Sequence, residues 1–165
     1  MKAVLMMATI AVMATAGCIA QERKRASPHE TISNEHVSVT YGRPYAKGRQ
    51  IFGGLIKYGE VWRTGADEAT EITFKKDGSF AGKPVKAGTY TLFTIPAEGQ
   101  WTVILNPELK QWGAYGYDKI KDKNMLEATV PAGTGQMTEQ LTLSLEGNNL
   151  VIAWDKTRVS IPMQF

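Results

Sequence analysis

The sequence predicts an all-β protein: an antiparallel β-sandwich of about eight or nine strands, with a long irregular Gly-rich segment at 42–68. Three observations carry that prediction. Apolar residues alternate with polar ones in short runs, as with Val37, Val39 and Tyr41, with Thr70, Ile72 and Phe74, and with Leu141, Leu143 and Leu145; a period of two places each set on one face of a strand. Turn residues recur every several positions, the spacing of all-β folds. No long segment repeats its apolar residues at helical spacing, which argues against alternating βαβ units.

In chain order, Met1-Lys2 followed by the apolar run Ala3–Ala16 has the pattern of a secretory leader over residues 1–20, too short to span a bilayer. Thr15-Ala16-Gly17-Cys18 resembles a bacterial lipobox, in which Cys18 would be acylated; the rival is cleavage after Ala20, leaving Gln21 first. Residues 21–30 read as a polar linker and 31–165 as one domain. Within the linker, Arg23-Lys24-Arg25 reads as a solvated tether rather than a lipid-binding patch.

His36–Tyr41 is a half-buried strand ended by Gly42 and Pro44, since Pro cannot donate to a ladder. Ile51, Phe52, Leu55, Ile56 and Tyr58 allow one helical turn at most, because Gly53 and Gly54 interrupt them. Ala69–Phe74 is a strand, with a hairpin turn at Asp77-Gly78. Ser79–Ala81 is a short strand, Lys86-Ala87-Gly88 a turn, and Thr89–Ile95 a strand stopped by Pro96. After a turn at Glu98-Gly99, Trp101–Leu105 is apolar on both faces and reads as a central strand. Residues 108–123 read as a loop carrying Trp112, Tyr115 and Tyr117, and 131–136 as a second loop after a weaker strand at 125–130. Glu139–Leu145 and Leu150–Trp154 are strands joined at Gly147-Asn148-Asn149, and Asp155-Lys156 turns into a last strand at 157–162.

Composition narrows the class. The 165 residues are 43% apolar and 21% charged, an ordinary globular balance. A formal charge of +3 spread along the chain argues against a nucleic-acid partner. Cys18 is the single cysteine, so no disulfide supports the domain and burial must hold it together. The leader places it outside the cytoplasm, in the periplasm or on the outer membrane as a lipoprotein, otherwise secreted. The membrane is then met only through the lipid anchor.

Several motifs together are specific: Arg43-Pro44, Lys47–Gly53, Tyr58-Gly59, Val61–Thr70, Ala87–Pro96, Trp101–Asn106 and Gln111–Tyr115. On these the chain closely resembles the bacterial family known as domain of unknown function 2911, common in Bacteroidetes, over nearly all of residues 26–165. The resemblance implies an exported β-rich domain and no established activity. It also implies Asn more often at the place of Asp67, and Pro at those of Lys57 and Lys86.

The stretch from Tyr41 to Thr70 concentrates cations, carboxylates, aromatics and turn glycines. Arg43, Lys47, Arg49 and Arg63 are candidate anion-binding groups, with Asp67 and Glu68 as their partners or as an acid–base pair. The bland reading is that Arg63 or Arg43 pins the irregular loop by pairing with a carboxylate or with loose carbonyls. The sharper reading leaves some cations free for a ligand, with the 60–70 loop as one cavity wall and Arg43 or Lys47 opposite. Trp62, Trp112 and Tyr115 are candidate ligand platforms; Trp62 is also expected to be largely buried, and Trp101 and Trp154 belong to the core. His29 and His36 are seven apart and face opposite ways on a strand, so no metal site is expected. No Gly-x-Ser-x-Gly elbow or phosphate loop is present, and no cofactor is expected. The resulting expectation is a non-catalytic binding domain for an anionic small molecule, glycan or peptide. The alternatives are an envelope hydrolase using carboxylates of the 60–70 segment, and a structural interaction module.

Overall fold

A computed structural model describes residues 23–165. The leader and Cys18 lie outside the described residues. Nine strands form: β1 (His29–Ser33), β2 (Val37–Gly42), β3 (Glu71–Phe74), β4 (Gly78–Phe80), β5 (Lys83–Val85), β6 (Gly88–Pro96), β7 (Gln100–Asn106), β8 (Leu126–Glu146) and β9 (Asn149–Gln164). All pair antiparallel, in one continuous sheet of order β1-β2-β3-β6-β7-β8-β9-β4-β5. Helix among the described residues is limited to the 3-10 turns Tyr117–Lys119 and Lys121–Lys123. The all-β antiparallel class and the strand number are those the sequence predicts.

The long β8 joins the two arms of the sheet. Leu126–Pro131 pairs with β7, and Ala132–Glu146 pairs with β9. The arms share one core: Val39, Ile72, Leu92 and Val103 from the first are buried in the same cluster as Leu141, Leu143, Ile152 and Trp154 from the second. Tyr41 on β2 ties them further, its hydroxyl accepting the Leu143 N–H at 2.9 Å. Burial pushes the Tyr41 pKa up to about 12, so this phenol stays neutral. β7 sits at the middle of the order, as its two apolar faces require. Trp101, Val103 and Leu105 enter the main core, while Ile104 packs with Phe93 and Ala69 on the opposite face.

Three local expectations are corrected by non-local pairing. Residues 131–136 are strand, not loop, because their backbone is taken up by β9. Asp155 does not break the last strand. It kinks a continuous β9 with φ 52°, beside an irregularity in the β8–β9 register. Asp77-Gly78 does not close a hairpin on β3. It leads to β4, which pairs with β5 and with the end of β9. The 42–68 segment holds only isolated bridges, at Tyr45, at Phe52 and Ile56, at Trp62 and at Glu68. It still supplies Ile51, Phe52 and Trp62 to the core.

Candidate functional site

The turn after Trp62 is fixed from inside. Trp62 exchanges backbone hydrogen bonds with Thr94 of β6 at 2.7 and 3.0 Å. Its ring stacks on Trp154 (centroids 6.0 Å apart) and meets Trp101 edge-on at 5.9 Å. Its Nε1 donates to the Gly65 carbonyl at 3.2 Å. Thr64 and Asp67 both take left-handed backbone conformations, φ 55° and 62°, which is uncommon for a β-branched residue such as Thr64. A buried hydroxyl network holds Thr64 there: its Oγ1 bonds Thr94 Oγ1 at 3.0 Å, and its carbonyl accepts the Thr70 hydroxyl at 2.8 Å. The end of β2 lies directly against this turn. A Cβ on Gly42 would fall 2.2 Å from the Ala66 carbonyl oxygen, so only glycine fits.

The turn presents two carboxylates to the segment that precedes β1. Asp67, 8% exposed, accepts the Ala26 and Ser27 N–H groups, one on each oxygen, both at 3.0 Å. Glu68 receives Nε of Arg25 at 2.9 and 3.0 Å, and Nη2 of Arg25 lies 2.9 Å from its Oε1. Nε2 of His29 lies 3.5 Å from Asp67 and 3.4 Å from Glu68, aligned with neither. Burial alone would raise both carboxyl pKa values. The Ala26 and Ser27 N–H groups and nearby His29 outweigh it at Asp67, and Arg25 outweighs it at Glu68. Both therefore lie below the ordinary carboxylate values.

Beside these carboxylates opens a groove of about 1280 Å³. One wall is Arg23, Lys24 and Arg25 with His29; the other is Lys110, Trp112, Tyr115 and Gly116; Glu68, Ala69 and Glu71 lie between. The far wall is held by backbone bonds from Ala69 N to Gln111 O and from Gly113 N to Asp67 O, 2.8 and 2.9 Å. Gly113, at φ 71°, lets the Tyr115 ring lie where a Cβ would come within 2.7 Å of it. Tyr115 is 84% exposed. Trp112 is half-buried with the Arg23 guanidinium 5.5 Å from its ring centre. Four cations thus face two carboxylates. Among the described residues the ammonium groups of Lys24 and Lys110 make no hydrogen bond or ion pair.

Of the residues singled out from the sequence, Glu68, Trp112 and Tyr115 line this groove and Asp67 supports it. The others are placed elsewhere. Trp62 is core, 5% exposed. Arg43 is spent on β8 and β1, donating to the Leu141 carbonyl and Thr142 hydroxyl at 3.1 Å and pairing with Glu30 at 2.9 Å. Arg49 pins its own loop through the Ala46 and Tyr45 carbonyls. Lys47 is exposed, and its backbone N–H donates to Glu139. Neither Arg43 nor Lys47 lies opposite the 60–70 turn, so that expected wall is corrected to Arg23–Arg25 and the 110–116 loop. The Arg63 side chain makes no hydrogen bond or ion pair among the described residues, and its Nε is buried without a partner; the residue meets Thr70 only through its backbone carbonyl, so its guanidinium does not pin the turn. The tether reading of Arg23-Lys24-Arg25 is likewise corrected, since Arg25 pairs with Glu68 and Arg23 with Trp112. Sequence reasoning weighs His29 only as a metal ligand and Lys24 only as part of the tether, and does not single out Lys110. A signal for the first was present, because a histidine opening an edge strand can reach a carboxylate turn.

Residues 24–163 match the model of a family described as Protein of unknown function (DUF2911). No curated protein and no solved structure matches the chain.

Proposed function

The chain belongs to the DUF2911 family, and from that premise we propose that it is a non-catalytic binding domain whose groove takes an anionic ligand bearing a stackable ring. The observation that carries this is one groove lined by Lys24 and Lys110, whose ammonium groups have no partner among the described residues, together with the exposed Tyr115 ring and the half-buried Trp112 ring. Ligand sites commonly combine flat aromatic area with a few converging charges. A sugar acid or a ring carrying a carboxylate or phosphate meets both demands. The hydrolase alternative is disfavoured by the carboxylates themselves. A general acid at neutral pH needs a raised pKa, whereas Asp67 and Glu68 are both lowered and bound to the chain. We further propose that the protein is exported and anchored through an acylated Cys18. Intact-mass analysis of the cell-made protein tests the anchor, and an unlipidated chain starting at Gln21 would overturn it.

The binding test is a thermal-shift panel of trigalacturonate, maltotriose, inorganic phosphate and an acidic peptide. A ligand that prefers the folded state raises the melting temperature. The expected result is a rise with trigalacturonate, absent with maltotriose and lost in Lys110→Ala and Trp112→Ala. No shift with any anionic probe, or one indifferent to both substitutions, would overturn the reading.

A further inference from the structure

Arg23, Lys24 and Arg25 line one wall of the groove with His29, yet the segment 23–27 belongs to no strand. It is tied down by polar contacts: the Glu68–Arg25 pair, the Asp67 bonds to two successive N–H groups, and the Arg43 N–H to the Pro28 carbonyl at 2.7 Å. None of residues 23–27 belongs to the buried core. Segments held in this way open locally without unfolding the domain. We infer that residues 23–27 are a strap latched by Asp67 and Glu68, and that docking of the strap and capture of ligand in the groove are coupled. The coupling rests on the binding reading above; the latch does not.

The geometry gives the direction of the coupling. Three of the four cations of the groove, Arg23, Lys24 and Arg25, ride on the strap, and Lys110 alone stays on the fixed wall. An anion held between the walls contacts both only while the strap is docked, so it shifts the strap toward that state. Asp67 is thus a positioning residue, acting through the strap and not by touching ligand. The charges around the latch are mixed. Arg25 and His29 face Asp67 and Glu68, Glu71 and Lys110 also line the groove, and Arg43 pairs with Glu30. The latch therefore depends on the two carboxylates and not on a general excess of charge.

Residue-resolved amide hydrogen exchange on the intact protein tests this. Ala26 and Ser27 are expected to exchange more slowly than free chain but faster than β6 and β7. Asp67→Ala should speed both by at least about tenfold while β6 and β7 stay protected. Glu68→Gln, which keeps shape and removes the Arg25 partner's charge, should speed them less and serves if Asp67→Ala does not fold. Trigalacturonate should slow both amides in the parent. Free-chain exchange at Ala26 and Ser27, or exchange indifferent to both substitutions, overturns the strap. A probe that raises the melting temperature but leaves these amides unchanged overturns the coupling. If the amides depend on Asp67 but no anionic probe shifts the melting temperature, the binding reading and the coupling fall and the latch stands.

Discussion

At Asp67 one side chain joins backbone conformation, electrostatics and site. Its φ of 62° turns it toward the strap, a conformation that Asp tolerates better than most residues. Its two oxygens each take one strap N–H. Because the folded pKa values of Asp67 and Glu68 lie below their ordinary 3.8 and 4.5, the sign of the pH dependence follows. Their stabilisation is fully present above the unfolded values and is lost as pH falls through the lower folded ones. Urea unfolding should give a midpoint that is flat in this respect above about pH 5 and declines below about pH 4.5. Asp67→Ala should lose about 1–3 kcal/mol at neutral pH, since two N–H groups lose their acceptor, and its decline in acid should be shallower. Equal acid slopes in parent and variant would show that these carboxylates do not carry the effect.

Among the elements, the irregular 42–68 segment is anchored in the core by its aromatics, while Arg43 and Arg49 hold its first part through polar contacts. Phe52 and Trp62 interlock with Trp101 of β7 and Trp154 of β9, with Phe52 and Trp101 centroids 4.8 Å apart. Trp62→Ala should therefore cost about 3–5 kcal/mol by urea unfolding, whereas Tyr115→Ala, on an exposed ring, should stay within about 0.5 kcal/mol. A Trp62→Ala loss below about 1 kcal/mol would mean that the turn is held from elsewhere. The same elements show what could be read in advance. β7 was legible because both its faces are apolar, and the β8–β9 hairpin because Leu141, Leu143 and Leu145 alternate. Residues 131–136 were not, since Pro131, Gly133 and Gly135 carry loop propensity that pairing with β9 overrides. Burial of Trp62 was legible from an aromatic set among turn glycines. The groove was not, because its walls come from residues 23–25, 29, 110, 112 and 115, which only the sheet order brings together.

At the scale of the molecule, the sheet has two open edges with different treatments. β5 is blunted by Lys83 and Pro84, a common protection against pairing with other chains. β1 carries His29 and the strap, so the candidate groove lies at an edge of the sheet. Connectivity suggests how such a chain folds. β6, β7 and β8 are successive neighbours in both sequence and sheet, whereas β4 reaches its place only by pairing Ser79 with Gln164 and Phe80 with Met163. Loop closure over such a separation is costly before any contact rewards it. Folding should therefore take milliseconds to seconds, the range of roughly 10⁻³ to 1 s typical of all-β domains, with β6–β8 formed early and β4–β5 late. Stopped-flow chevrons test the order. Val103→Ala should slow folding, with a φ-value above about 0.5, while Phe80→Leu should mainly speed unfolding, with a φ-value below about 0.3. The reverse pattern would place the nucleus at the β4–β9 junction. With the expected order, β1 and its strap are peripheral to the part that forms first, so the strap can open and close while the core stays folded.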